Sequence, residues 1–388
     1  MKKLFFIYHA LPSKFQGGSE LAAYNLIKNF SKKYKVTLIC FSIGKNPRQG
    51  LIDLKKIGIE VLIKKDHLKY DQNISFIPKY FLDEDKISKN QIFLENKINI
   101  NKKDKLIAMG SISIASAAQI LCNKIAIVED PQPFVKIERE KLSINFNNFH
   151  KKILKIIYLK IFYKNFWNWF KEITKTYNVI HCWSKNEAIS IQKKIKRKVN
   201  FIRCPIEVEK IYKFKNKKFT IAMISYSITQ DFDGIRKMNK YLITVLKKKD
   251  LLDKVNIYLI MNIFNKNLPK DIKEIINQKF INIKNFDQKG LIEKIDLLYY
   301  PSNYKVGVRS KILFSMSKKI IVATNKASKY GIPELKNNFN CLIGIDNFDL
   351  VNKIVKIIRK KNKSIINNAY NLIKKAYSPK KIAKNLIN

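Results

Sequence analysis

The sequence predicts an α/β protein of two doubly wound domains that face each other across a deep cleft. Short apolar runs alternate with helical patterns along most of the 388 residues, which is typical of βαβ units and a parallel sheet. A short, polar and basic segment, Lys210–Lys218, interrupts this alternation, which then starts again. At about 150 residues per domain, the length also fits two or three domains.

The first series of elements begins at the N-terminus. Met1–Leu11 superficially resembles a signal peptide, but its apolar run is short, contains His9 and lacks a cleavage site of small residues, so it predicts a buried strand. The predicted strands are Lys3–His9, Val36–Phe41, Ile59–Ile63, Leu106–Met109, Ile125–Val128 and Asn178–Cys182, and the predicted helices between them include Ser19–Ser31, Leu51–Ile57 and Ser184–Lys193.

The second series follows the same pattern. Its predicted strands are Phe219–Ile224, Val255–Met261, Ile281–Ile283, Leu297–Tyr300 and Ile320–Thr324, and its predicted helices are Lys237–Lys247, Ile272–Gln278, Gln288–Ile295 and Ser310–Ser317. We therefore expect one domain at residues 1–208, a linker at 209–218 and a second domain at 219–375, followed by a C-terminal helix within 376–388.

The chain is strongly basic, with 77 Lys and Arg against 30 Asp and Glu and a net charge of +47. Such a charge attracts polyanions, including nucleic acid and anionic lipid. The lysines are scattered, and Lys, Asn and Ile, which have A/T-rich codons, are abundant together, so base composition explains most of the excess. The sequence has no helix-turn-helix, RNA-recognition motif or basic block with interleaved aromatic residues, so nucleic-acid binding is the weaker alternative and no specific nucleic acid is predicted as a partner.

Cysteine and histidine usage argues against metal sites and disulfides. The five cysteines are widely spaced, and none of the four histidines forms a pair at helical spacing, so we expect no metal, no disulfide framework and a reducing cytoplasm. The longest charge-free window, Leu106–Asn123, contains Gly110, three serines, a glutamine and an asparagine, which makes it a poor membrane span.

One stretch, Leu159–Lys171, is amphipathic at about 100° per residue. Its apolar face packs on a sheet in the favoured interpretation, and lies in a membrane interface in the alternative one. That face is formed by Leu159, Phe162, Tyr163, Phe166, Trp167, Trp169 and Phe170, and the lysines near it are Lys151, Lys152, Lys155, Lys160 and Lys164. Because anionic headgroups attract lysines, reversible attraction to an anionic membrane is an expected by-product of this charge.

Two loops of the first domain are candidate sites because ligands of open α/β sheets bind at the carboxyl ends of strands. Gly17 and Gly18 precede a helix for which Ser19 is the expected N-cap, an arrangement that favours a phosphate or an acceptor group but also fits an ordinary capped turn. Glu129 and Asp130 follow a strand, where two carboxylates act as a base or bind sugar hydroxyls, or form a solvated turn.

The loop before Ser310–Ser317 is the third candidate. Gly307, Arg309 and Lys311 lie in this loop and in the first turn of the helix, so that two cations and free backbone amides converge on one point. A diphosphate needs such a site when no metal is present. The alternative is that both cations are ordinary surface residues of a basic protein.

The motifs around this loop resemble those of the large retaining glycosyltransferase family of the GT-B type, glycosyltransferase group 1. The matching segments, in the order of that family, are Pro301, Gly307-Val308-Arg309-Ser310-Lys311, Ser315-Met316, Ile321-Val322-Ala323-Thr324 and Gly331-Ile332-Pro333-Glu334-Leu335. The GGSE opening, the strand and serine at Val179–Ser184 and the Cys204-Pro205 crossover are similar too. The resemblance covers essentially the whole chain.

This resemblance implies two Rossmann-like domains, a C-terminal helix that packs on the first of them, and metal-independent, retaining transfer of a hexosyl or related group from a UDP- or GDP-linked donor. It implies no cofactor, a lipid-linked or glycan acceptor in polysaccharide or lipopolysaccharide synthesis, and a cytoplasmic protein at the inner face of the membrane. The implied donor-binding residues are Gly307, Arg309, Ser310, Lys311, Thr324 and Glu334.

The donor loop departs from the family pattern at two positions. The family carries two glutamates eight residues apart, and the matching positions are Val306 and Phe314, which cannot hydrogen-bond a sugar. Asp233 stands where the family has a diphosphate-binding lysine, although Arg236 and Lys237 are close by. A non-catalytic relative that binds nucleotide sugar is therefore the alternative to an active enzyme.

Overall fold

The computed structural model contains two compact units, each with its own parallel sheet. It describes residues 2–13, 18–42, 47–64, 84–129, 131–142, 149–209, 217–225, 229–261, 268–285, 290–360 and 362–387. The first unit comprises Met1–Pro205, Val306–Val308 and Pro379–Asn388, and the second comprises Ile206–Lys305 and Arg309–Ser378. Each is a doubly wound α/β domain, which confirms the predicted fold class.

The first unit contains a seven-stranded sheet in the order β3-β2-β1-β4-β5-β6-β7, with parallel pairing throughout the described strands. The strands are Lys3–Tyr8 (β1), Lys35–Cys40 (β2), Glu60–Ile63 (β3), Lys105–Met109 (β4), Asn123–Val128 (β5), Val179–Cys182 (β6) and Asn200–Phe201 (β7). All residues of β1 after Lys3 are buried, as a central strand covered on both faces requires. The chain winds outward from β1 to β3 and returns to β4, so the switch point lies between β1 and β4.

Helices cover both faces of this sheet. They are Ser19–Phe30 (α1), Pro47–Lys56 (α2), Glu84–Lys97 (α3), Ser111–Ser116 (α4), Gln132–Leu142 (α5), Phe149–Thr174 (α6) and Lys185–Ile195 (α7). The aromatic face of α6 packs into the core on the sheet, with Tyr163, Phe166, Trp167 and Phe170 all buried there. The prediction that this face packs on a sheet is therefore confirmed. The exposed apolar side chains of α6 are other residues.

The second unit contains a six-stranded parallel sheet in the order β10-β9-β8-β11-β12-β13. The strands are Phe219–Ser225 (β8), Val255–Met261 (β9), Ile281–Lys284 (β10), Leu297–Tyr300 (β11), Ile321–Asn325 (β12) and Leu342–Gly344 (β13). The switch point lies between β8 and β11, because the chain leaves β8 for β9 and β10 before it returns to β11. Seven buried residues in β8 mark it as the centre of this core.

The helices of the second unit are Thr229–Lys237 (α8), Thr244–Lys248 (α9), Lys270–Ile276 (α10), Ser310–Ser317 (α11), Asn347–Arg359 (α12) and Lys363–Ala376 (α13), and Pro379–Ile387 (α14) returns to the first unit beside α1. Two predicted helices differ from the structure. The helix predicted at Lys237–Lys247 begins at Thr229 and contains a π-helical turn, Met238–Ile243. The one predicted at Gln288–Ile295 has only a 3₁₀ turn, Ile292–Lys294, among its described residues.

Candidate functional site

Three strand ends meet at the switch point of the first sheet. His9 follows β1, Gly110 follows β4 and Glu129 follows β5. Gly110 has φ 86°, a conformation that favours glycine, and a Cβ at this position would lie 3.3 Å from Glu129 Oε1 and 3.5 Å from His9 Nδ1. The three residues therefore lie side by side where doubly wound sheets bind their ligands.

His9 and Glu129 give this point two polar groups of different character. Burial lowers the pKa of His9 to about 4, so its imidazole is neutral near pH 7 and offers one donor and one acceptor nitrogen. Glu129 is half-buried as a residue, and its Oε1 atom is buried. Glu129 was predicted from the sequence as a site residue, and His9 was not. Its position directly after the first strand, at the switch point, was the signal that could have found it.

The other predicted residues of the first unit have mixed outcomes. Gly18, with φ 70°, is the N-cap of α1 and Ser19 is the first helical residue, so the predicted N-cap at Ser19 is wrong. The backbone turns into the helix through a positive-φ conformation that glycine adopts without strain. Gly17 and Asp130 lie outside the described residues.

In the second unit, Lys311 lies in the first turn of α11 and its ammonium group reaches the carboxyl end of β8. Its Nζ donates to Asp231 Oδ1 at 2.9 Å and to the Ile224 carbonyl at 3.1 Å. Both side chains are largely buried, with exposed fractions of 11% for Lys311 and 5% for Asp231. The cation that the sequence analysis identified is thus fixed at the switch point of this sheet by a carboxylate that the analysis did not identify.

Arg309 is the N-cap residue of α11. Its guanidinium donates to the Tyr304 carbonyl at 2.8 Å and lies 4.8 Å from the centre of the Tyr304 ring. Stacking and this single bond hold the planar group in one orientation, while the remaining N–H donors of an arginine stay suited to bidentate contacts with phosphate oxygens.

The two cations of α8 point to different places. Lys237 Nζ lies 2.6 Å from Asp233 Oδ2 and 3.4 Å from the Pro301 carbonyl, which places it at the carboxyl end of β11. Arg236 instead pairs with Asp271 of α10. Lys237, rather than Arg236, is therefore the further cation at this edge of the second sheet.

The remaining predicted donor residues have defined contacts within the second unit. Thr324 is fully buried, its hydroxyl donates to the Tyr300 carbonyl at 2.8 Å, and it shares a hydrogen bond with Ser328. Glu334 accepts a hydrogen bond from the Tyr377 hydroxyl at 2.8 Å. Ser310 is the first residue of α11. Thr324 thus joins two strand ends. The assignment of Thr324, Glu334 and Ser310 to the donor stays a prediction.

Gly307 is held by a residue that the sequence analysis did not select. The segment Val306–Val308 belongs to the first unit, and within that unit the Gly307 amide donates to Glu187 Oε1 at 2.6 Å. Glu187 is fully buried in the first turn of α7, three residues after its N-cap Ser184. Gly307 has φ 67°, and its neighbour Val306 is buried. The Ser184–Glu187 spacing is the sequence signature of a capping box, and here its glutamate binds a distant amide.

We expect Glu187→Ala to expose this amide to exchange. Loss of an acceptor for a buried N–H costs about 1–3 kcal/mol, so hydrogen exchange at Gly307 should accelerate roughly 5- to 150-fold. Glu187→Gln keeps an acceptor oxygen at the same length and should stay close to the wild-type rate. Equal rates in the wild type and the alanine variant would show that the contact does not hold this segment.

Comparison with known proteins identifies the architecture. No protein-family model matches the chain, and no curated protein sequence matches it. Among solved structures, HepE of Anabaena in complex with UDP and glucose superimposes with a TM-score of 0.69 at 13% identity, over 100% of this chain and 98% of HepE. TarM has a TM-score of 0.70 at 13% identity, over 100% and 99% of the two chains.

A third structure is WaaG, described as a glycosyltransferase involved in lipopolysaccharide biosynthesis, with a TM-score of 0.61 at 10% identity over 99% of this chain and 100% of WaaG. Identities this low establish similarity of fold. The chain has the GT-B fold of two Rossmann-like domains, which confirms the fold that the motif resemblance implied.

Proposed function

We propose that the protein is a glycosyltransferase that moves a hexosyl or related group from a nucleoside diphosphate sugar to a growing cell-surface glycan. The observation that carries the proposal is the set of cations at the carboxyl edge of the second sheet, in a GT-B fold. Lys311 and Lys237 lie at the carboxyl ends of β8 and β11, and Arg309 contacts Tyr304 in the loop that follows β11. Ligands of doubly wound sheets bind at this edge. HepE, which has the same fold, is described in complexes with UDP and with UDP-glucose.

The chemistry follows from the charge of the leaving group. As the bond between the anomeric carbon and the diphosphate breaks, negative charge develops on the diphosphate oxygens. The acceptor hydroxyl oxygen forms the new bond to that carbon, and its proton passes to the departing diphosphate. Arg309 and Lys311 would stabilise the departing charge, which is the main electrostatic task in such a transfer. In the first unit, Glu129 and the neutral His9 would bind sugar hydroxyls.

We further propose that the transfer is retaining and needs no metal. Among the described residues, no group of three or more His, Cys, Asp or Glu side chains is placed to hold a metal ion. The cations of the second unit would take the place that a metal occupies in other transferases. The proposed acceptor is lipid-linked, and the proposed location is the cytoplasmic face of the membrane.

Arg309→Ala tests the assignment directly. We expect donor affinity, measured by titration calorimetry with UDP- and GDP-linked sugars, to fall by about 1.5–3 kcal/mol, the worth of a hydrogen bond to a charged group. Arg359→Ala, which removes an exposed arginine at the end of α12, should leave the affinity unchanged. Equal affinity in both variants would refute the diphosphate site.

The same preparation tests the chemistry of transfer. Incubation of a UDP- or GDP-linked sugar with glycan acceptors in EDTA should yield product with the anomeric configuration of the donor. A requirement for Mn²⁺ or Mg²⁺ would contradict metal independence, and an inverted product would contradict retention.

A non-catalytic relative that binds nucleotide sugar is the second candidate. It is favoured by one observation, the apolar side chains of Val306 and Phe314 at positions where the resembling family carries glutamates, with Val306 buried. Donor binding without transfer or hydrolysis would identify this case.

A further inference from the structure

Helix α6 leaves a row of large apolar side chains in solvent. The row, called here the apolar stripe, consists of Phe149, Ile153, Leu154, Ile157, Tyr158 and Ile161, all of which are exposed. Leu154 and Ile161 have exposed fractions of 66% and 68%. Single exposed apolar residues are normal on a protein surface, but a contiguous row marks an interaction site.

The stripe is a continuous feature of the helix surface. Ile153, Ile157 and Ile161 recur every fourth residue, which places them in line along one face. The helix turns its other face to the core, where Ile156, Leu159 and Tyr163 are buried. The helix is therefore apolar on two sides, and the described residues of its own unit cover one of them.

Lysines lie along this surface. Lys151, Lys160 and Lys164 are exposed on the same helix, while Lys152 and Lys155 pair with Glu140 of α5. At about 100° per residue, Lys160 lies near one edge of the stripe and Lys151 near the other, while Lys164 follows the stripe on the same face, one turn after Lys160.

We propose that the apolar stripe and its flanking lysines bind the surface of an anionic bilayer, with α6 lying parallel to the membrane in the headgroup region. An apolar row with basic edges is the arrangement that interfacial helices use. A second copy of the chain fits less well, because pairing the stripe with itself would bring lysines of both copies together. Among the described residues, no helix is long and apolar enough to span a membrane.

The choice of a membrane as partner rests on the proposed function, since a lipid-linked acceptor lies at a bilayer. It also refines the sequence-based expectation of membrane binding. Four of the aromatic rings expected in the interface, Tyr163, Phe166, Trp167 and Phe170, lie in the core. The stripe begins ten residues before the stretch on which that expectation rested.

Vesicle binding of the full chain tests the proposal. We expect cosedimentation with vesicles of phosphatidylcholine and about 30% phosphatidylglycerol at low salt, release at high salt, and little retention on pure phosphatidylcholine. Ile157→Asp combined with Ile161→Asp should weaken the binding at least 10-fold. Lys160→Gln combined with Lys164→Gln should weaken it about 30-fold.

Two matched controls distinguish an effect of this surface from an effect of overall charge or hydrophobicity. Lys248→Gln with Lys249→Gln makes the same charge change at exposed positions of the second unit, and Leu121→Asp with Ile345→Asp removes two exposed apolar residues elsewhere. Both controls should bind like the wild type. Because all of these positions are exposed, the variants should fold.

Three outcomes would overturn the proposal: no binding to anionic vesicles, equal binding to neutral ones, or a loss of self-association rather than of vesicle binding in the stripe variant. Affinity for UDP- and GDP-linked sugars in vesicle-free buffer is measured on the same variants. A protein that binds the donor but not vesicles contradicts only this proposal. A protein that binds vesicles but not the donor contradicts only the proposed function.

Discussion

Replacement of Asp231 by Ala should lower the free energy of unfolding of the second unit by about 3–5 kcal/mol, the usual cost of removing one partner from a buried ion pair. The Lys311 side chain is only 11% exposed, and its Nζ lies 2.9 Å from Asp231 Oδ1. Without this carboxylate, its charge would stay in a region of low dielectric with the Ile224 carbonyl 3.1 Å away. A neutral carbonyl compensates such a charge only partly.

A matched control lies two residues along the same helix. Asp233 pairs with Lys237 at 2.6 Å, but its own side chain is 53% exposed. Exposed pairs contribute about 0–1 kcal/mol, so Asp233→Ala should be nearly neutral. All three tryptophans, Trp167, Trp169 and Trp183, lie in the first unit, so their fluorescence reports that unit while far-UV circular dichroism reports both. A similar loss in both variants would contradict the buried pair.

The same variant links stability to the proposed donor site. A diphosphate bound at Lys311 would supply the negative charge that Asp231→Ala removes. Saturating UDP should therefore raise the melting temperature of the variant more than that of the wild type, because a ligand stabilises the state that binds it. An equal or smaller shift in the variant would argue that the diphosphate does not contact Lys311.

Local sequence patterns were sufficient to predict the architecture. Buried parallel strands are continuous apolar runs, so β1 and β8 were visible without a structure. Elements with weak patterns were missed. Helix α3 is rich in polar residues, and β7 has only two residues, so neither carries a signal strong enough to separate it from a loop.

The candidate sites were predictable only in part, because their partners are distant in the sequence. The cations of the donor loop could be recognised, but Asp231 lies 80 residues from Lys311 and Glu187 lies 120 residues from Gly307. No local pattern encodes such pairs. The predicted N-cap of α1 was wrong for a different reason. Serine is a favoured N-cap residue, so Ser19 was expected there, but the N-cap is Gly18, whose backbone has φ 70°.

The exposed stripe of α6 shows what the periodicity of a short stretch of sequence does not predict. The periodicity of Leu159–Lys171 identified one apolar face, and this face is the buried one. The second apolar face belongs to the N-terminal half of the same helix, Phe149–Ile161, where apolar residues surround the helix and periodicity is weak. Which of two apolar faces is covered depends on tertiary packing rather than on the pattern itself.

The first unit should lose stability in mild acid because of two histidines. His181, in β6, is 6% exposed, and neither ring nitrogen has a hydrogen-bond partner among the described residues. Burial lowers its pKa to about 4 from an ordinary value of 6.5. Burial also lowers the pKa of His9 to about 4. Both rings are therefore neutral in the folded protein at pH values where an unfolded chain is protonated.

The sign of the effect follows from proton binding. Between pH 6.5 and 4 the unfolded state binds more protons than the folded state, so stability is complete above pH 6.5 and falls as the pH drops toward 4. From pH 7.5 to pH 5 the loss is about 2 kcal/mol for His181, and somewhat less for the partly exposed His9. His9 follows β1 and His181 lies in β6, and two other strands lie between β1 and β6 in the sheet. The two strands are therefore about 14 Å apart, so the two effects should add to about 3–4 kcal/mol.

Urea unfolding followed by tryptophan fluorescence at pH 7.5 and pH 5 measures this loss for the first unit. In His181→Gln the difference between the two pH values should shrink by about 2 kcal/mol, and in His9→Gln with His181→Gln by about 3–4 kcal/mol. His150→Gln, at an exposed position of α6, should leave the difference as in the wild type. An unchanged pH dependence in the double variant would mean that both rings already gain protons in the folded protein as readily as in water, and that burial at these two strands does not keep them neutral.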